Sequence, residues 1–230
     1  MIRLLNENNE LRELDSFDSE HPKYILDWND SVRVDGHTLY RIIYKDGSKG
    51  RWLESYDSLS QYDYAFVLDN AKVYDDAQVH GHAVVEGRAE VSGDAKVSDY
   101  AEVYDDAIVY GNAIVYDDAI VYGNAKVGGY AKVYGDAIVY DTALVTDRAE
   151  VYEKAKIYGA ARVYDSAEVS GDAKVFADAQ VYGKAKVCGS AWVYGRAKVY
   201  DNAEVTRNAR VRGKSEVSGS DVIDMGEVTE

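Results

Sequence analysis

Ala107-Ile108-Val109-Tyr110-Gly111-Asn112 is followed at once by Ala113-Ile114-Val115-Tyr116-Asp117-Asp118, and the same six-residue unit runs on in both directions. Alanine recurs at every sixth position from Ala65 through Ala71 and Ala77 to Ala209, and no insertion breaks the register. Self-similarity at a fixed short period is the signature of a solenoid. In an extended A-x-V-Y stretch, alternate side chains share a face, so Ala and Val point one way while x and Tyr point the other. Gly, Asp and Asn fill the last two places of the unit. These residues best tolerate the left-handed backbone of a sharp corner.

An antiparallel meander would make a strictly identical repeat serve two inequivalent strands and turns. A coil that always turns the same way makes every repeat equivalent. Three repeats per coil stack Val on Val and Ala on Ala as interior ladders, with strands about 4.8 Å apart. Each buried Val contributes roughly 1.5–3 kcal/mol, and stability is spread over neighbouring coils. The expected fold is therefore all-β, a parallel β-helix over residues 65–220.

Residues 1–64 lack the repeat. Val32-Arg33-Val34 and Thr38-Leu39-Tyr40 flank an Asp35-Gly36 turn, and Lys45-Asp46-Gly47-Ser48 turns again, which predicts a small β-rich cap over the exposed solenoid edge. Beyond Ser220 the pattern decays, and residues 221–230 read as an acidic tail.

The unit A-x-V-Y-(G/D)-(N/D) resembles the hexapeptide repeat of left-handed parallel β-helices, best known from acyltransferases. That resemblance implies the hand of the coil and its triangular section. A nearer likeness is to bacterial and phage proteins with A-x-V-Y-G-N repeats, which carry a segment similar to Gly50-Arg51-Trp52-Leu53-Glu54-Ser55 and Leu59-Ser60-Gln61 before the coil. Those proteins bear a transferase label on the strength of the repeat, and the likeness, over residues 48–220, implies a phage or prophage origin. Tyr after Val departs from the acyltransferase pattern, which prefers Gly, Ala, Glu or Asp there.

The 230-residue chain has a net charge of −15, which argues against direct nucleic-acid binding, because phosphate contacts need clustered Lys and Arg. Its charge is uneven along the chain. Residues 71–142 hold 5 basic and 13 acidic side chains, whereas residues 143–214 hold 13 basic and 9 acidic. No apolar run is long enough to span a bilayer, the start of the chain lacks the apolar core of a signal peptide, and the single cysteine cannot form an internal disulfide. A cytoplasmic protein with no membrane contact is expected.

Acyltransferases of this fold generally use a histidine beside a cleft between subunits, often with an extruded loop. The coil has only His80 and His82, both in outward or corner positions, without a third His or regular metal-ligand spacing. Cys188 stands where Tyr usually does and reads as a tolerated substitution. Neither a catalytic residue nor a cofactor or metal is expected.

Taking every third repeat aligns Tyr104, Tyr122, Tyr140, Tyr158, Phe176 and Tyr194, with Ile120, Ile138, Lys156, Lys174 and Trp192 beside them. Such a column is either a stabilising ladder or an interface, since exposed Tyr and Trp are favoured anchors. Asp99, Asp117, Asp118, Asp136, Glu153 and Asp172 align along one corner, as good corner formers or as a stripe that meets a basic partner. The leading expectation is a non-catalytic protein-binding scaffold that inhibits a host system, self-associating as a dimer or trimer. An acyltransferase-like enzyme with an intersubunit site and a purely structural spacer are the alternatives.

Overall fold

A computed structural model describes residues 23–229, together with the backbone of two short paired strands, β1 (Ile2–Leu5) and β2 (Leu11–Leu14). From Phe66 onward every strand is two residues long, in the repeats the x-V (x-Ile at Ile157), and each pairs in parallel with the strand 18 residues away, save the last, Glu227–Val228, which pairs 17 residues back. Glu102 faces Ile120, and Ile120 faces Ile138. Three sheets of 12, 9 and 10 strands result, the walls of the expected parallel β-solenoid.

The expected alternation of faces holds throughout the coil. Every Ala of the six-residue register from Ala65 to Ala209 is buried, as are the Val residues two positions later and Ile157 in their row. Backbone donors point along the axis to the next coil. Ile120 N–H donates to Ala137 O at 2.9 Å and Tyr122 N–H to Val139 O at 3.0 Å.

The corners follow from the two residues that close each unit. The first adopts positive φ, 71° at Gly111 and 58° at Asp117. Coils approach so closely there that a Cβ on Gly123 would lie 3.0 Å from Asp141 N. Where Asp takes the corner instead, its carboxylate holds the next coil, as Asp141 Oδ2 accepts the Gly159 N–H at 3.0 Å. Alternation of Asp105, Gly123, Asp141 and Gly159 along one edge thus combines close approach with capping.

The N-terminal region is antiparallel, built from β3 (Tyr24–Val34), β4 (His37–Tyr44) and β5 (Lys49–Leu53). Asp35 and Gly36 both take positive φ, 49° and 96°, as a tight hairpin with right-handed strand twist requires. β5 then pairs in parallel with Lys72–Val73, with Trp52 opposite Lys72 and Leu53 opposite Val73, so these strands extend one solenoid wall. Buried Tyr24, Leu26, Ile42 and Leu59 join the coil interior. Tyr44 Oη donates to Val67 O and accepts from Val67 N–H, which fastens the hairpin to the first coil.

The sequence boundary at residue 220 does not coincide with the end of the sheets. Val222–Ile223 pairs with Glu204–Val205 and Glu227–Val228 pairs with Arg210–Val211, so the segment read as an acidic tail continues two walls. Backbone pairing, with half-buried Ile223 and Val228 against the core, continues the walls even though the Ala repeat has lapsed. Among the described residues no helix is long and apolar enough to cross a membrane.

Candidate docking face

The 10-stranded sheet carries the aromatic column on its outer side. Consecutive rings from Tyr104 to Tyr194 stack with centroids 4.8–5.0 Å apart, nearly parallel to one another. The cause is the strand spacing itself, which matches the thickness of an offset aromatic stack. Ring faces are therefore covered by neighbours, and edges and hydroxyls meet solvent. Burial, reinforced by neighbouring Tyr158, Tyr122 and Asp141, pushes the Tyr140 hydroxyl up to about 12, so it remains a hydrogen-bond donor at neutral pH.

Beside the column lies the x row of the same strands, Glu102, Ile120, Ile138, Lys156, Lys174, Trp192 and Arg210 in coil order. Lys174 Nζ lies 4.9 Å from the Trp192 ring centroid and Arg210 Cζ 4.7 Å, cations within the range of a cation–π contact. A shallow trough of about 590 Å³ opens here, with Ile138, Lys154, Lys156, Lys174 and Trp192 in its lining. Shorter ladders occupy the other two walls, Tyr116-Tyr134-Tyr152 and Tyr164-Tyr182-Tyr200.

The acidic residues fall into two adjacent corner columns. Asp99, Asp117 and Glu153 take the first corner place with positive φ. Asp117 accepts the Gly135 N–H at 3.2 Å and Glu153 the Gly171 N–H at 2.6 Å, which turns those carboxylates toward the coil backbone. Asp118, Asp136 and Asp172 occupy the second place and are exposed, with Lys154 between the last two in coil order.

Both coil histidines are exposed. His82 stacks between Tyr64 and Tyr100 at centroid distances of 4.9 and 4.6 Å, a spacing legible in the sequence as positions 64, 82 and 100. Cys188 is half-buried, and burial pushes its thiol up, with the nearby acids Glu204 and Glu153 adding to the effect. A raised pKa disfavours the reactive thiolate.

A cluster that sequence reasoning did not find joins the hairpin to the coil. His37 Nδ1 lies 3.0 Å from Glu54 Oε1, and Nε2 lies 3.1 Å from Asp75 Oδ1. The remaining oxygens are held by backbone donors, Glu54 Oε2 by Asp75 N–H and Asp75 Oδ2 by Gly93 N–H. The hydrogen bond to Glu54 is the main cause that raises the His37 pKa, and the charges of Glu54, Asp75 and Asp35 also raise it against burial. This trio offers atoms within 4.8 Å of one another that could hold a metal ion. The imidazole bridges the two carboxylates with both nitrogens, however, which is the geometry of a protonated clasp.

Against known proteins, the family described as YdcK Beta solenoid repeat matches residues 101–117, one of the most regular stretches of the coil. No curated protein matches the chain. The buried Ala and Val ladders, the three parallel walls and this repeat match together identify the chain as a β-solenoid repeat protein.

Proposed function

We propose that this solenoid is a non-catalytic scaffold whose outer 10-stranded face docks another protein. One observation carries the reading: the aromatic column and the apolar x residues Ile120, Ile138 and Trp192 lie on one wall, across coils stacked in register. Tyr and Trp supply large contact area at low conformational cost, and a regular wall presents them without rearrangement. The exposed corner acids Asp118, Asp136 and Asp172 border this face and favour a partner with a basic surface.

The test is affinity capture from lysate of the source cell with the native chain and with a variant carrying Tyr122→Ser, Tyr140→Ser and Tyr158→Ser. Ser already occupies the equivalent place on other walls at Ser92, Ser98 and Ser170, so the backbone accommodates it, and circular dichroism checks that the variant stays folded without its ring stacks. The native chain is expected to retain proteins that the variant loses, in a salt-sensitive manner. Identical capture by both overturns the docking reading, and saturable acetyl-CoA binding by calorimetry that is lost in His80→Ala with His82→Ala favours the enzyme alternative.

A further inference from the structure

On two of the walls, x residues of opposite charge on adjacent coils form ion pairs within the chain. On the 12-stranded wall Lys72 pairs with Glu90 at 2.6 Å and Lys198 with Glu216 at 2.8 Å. On the 9-stranded wall Lys132 pairs with Glu150 at 3.0 Å and Lys186 with Glu168 at 3.3 Å. Each pair joins x residues of adjacent coils. The 10-stranded wall has no such pair among its described x residues: Lys156 lies directly opposite Lys174, Glu102 lies beyond Ile120 and Ile138 on one side, and on the other Glu227 lies beyond Trp192 and Arg210 and is paired with Arg212. Among the described residues, Glu102, Asp118, Lys154, Lys156 and Lys174 make no ion pair. Like charges directly opposite destabilise a sheet; on the 9-stranded wall Glu150 also opposes Glu168, but Lys132 and Lys186 neutralise them, whereas Lys156 and Lys174 have no acidic partner among the described residues.

The segregation has a two-fold solution. We infer that the 10-stranded wall is the contact face of an antiparallel homodimer, centred on Ile138 and Tyr140, in which the acidic end of one copy meets the cationic end of the other. This rests on the docking reading and names a second copy as the occupant. A two-fold axis lying in the face along the strand direction reverses the solenoid axis but keeps each strand position over its own kind. Ile138 then faces Ile138, Ile120 faces the aliphatic stem of Lys156, and Val84 faces Trp192. Glu102 faces Lys174 and Asp118 faces Lys154, each twice in the dimer. Asp136 meets its own copy at the solvated rim, where the repulsion is small.

Other centres fare worse. An axis through Lys156 sets that lysine against itself, and an axis midway between Ile138 and Lys156 sets Asp118 against Asp172. The wall from Phe66 to Arg210 spans eight coil steps, about 38 Å at 4.8 Å each, by a side of roughly 17 Å. That footprint of roughly 650 Å² approaches the ~800 Å² per partner of a standard interface.

Light scattering and sedimentation at 1–100 μM (about the range of moderate dimer affinities) test the inference. The native chain is expected at twice its 25.5 kDa mass. Glu102→Lys alone and Lys174→Glu alone each convert two attractive contacts to repulsive ones and are expected to weaken the dimer about tenfold or more. An equimolar mixture of the two variants, or both changes in one chain, restores opposite charges at every contact and is expected to regain the native mass. A monomeric or trimeric native chain overturns the inference. So does a dimer indifferent to the single changes, or one that the combined changes fail to restore with circular dichroism unaltered. A native monomer that still captures a protein through the Tyr122, Tyr140 and Tyr158 face overturns the dimer while leaving the docking reading intact.

Discussion

Tyr182 lies in the middle of a three-ring ladder on the 12-stranded wall, away from the proposed contact face, with Tyr164 at 4.9 Å on one side and Tyr200 at 5.0 Å on the other. Replacing it by Ser deletes both stacks, each worth about 0.5–1.5 kcal/mol beyond area burial, so a loss of roughly 1–3 kcal/mol is expected. Tyr164→Ser deletes one stack and a long hydroxyl contact to Gln180 at 3.4 Å, so its loss should be about half as large. Tyr182→Phe keeps both stacks, as Phe176 does between Tyr158 and Tyr194, and should change stability by less than about 0.5 kcal/mol. Urea unfolding followed by circular dichroism gives the three differences, with unchanged slopes confirming that the native surface is comparable. Equal losses for Tyr182→Ser and Tyr164→Ser would refute pairwise stacking as the source of ladder stability.

At the corners, Asp141→Ala removes the acceptor for Gly159 N–H and is expected to lower stability by roughly 1–2 kcal/mol, whereas Asp141→Asn keeps an acceptor and a corner-competent residue; equal thermal shifts for the two would contradict the capping role. The His37 clasp titrates in a defined direction. Its folded pKa is raised above the ordinary histidine value of about 6.5, so its stabilisation is complete below that value and is lost as pH rises through the folded pKa. The melting-temperature gap between the native chain and His37→Gln should therefore narrow as pH rises above about 6.5, and a gap independent of pH would exclude the clasp. Asp117→Asn and Asp136→Asn together should leave thermal stability unchanged or higher at low salt, since Asn still suits the corner while repulsion falls; a marked loss would show that the negative charges themselves are required.

The six-residue period by itself determined the coil, because an unbroken Ala register with Val two places on allows only one set of inward side chains, and all of them are buried. It also placed the aromatic column, since residues 18 apart must stack once three repeats close a turn. Period could not say where pairing stops. Strand addition by Val222–Ile223 and Glu227–Val228 needs only backbone hydrogen bonds and one inward apolar residue, Ile223 or Val228, not the Ala repeat that marks the coil in the sequence. Nor could it reveal which carboxylates are spent on backbone donors, as Asp117 and Glu153 are, and which face solvent, as Asp118 and Asp136 do, because that choice depends on the corner φ and on the next coil. The His37, Glu54 and Asp75 clasp was the least legible feature. Its members come from a hairpin, a strand end and a corner, and only the docking of the antiparallel region onto the first coil brings their charges within 3.1 Å.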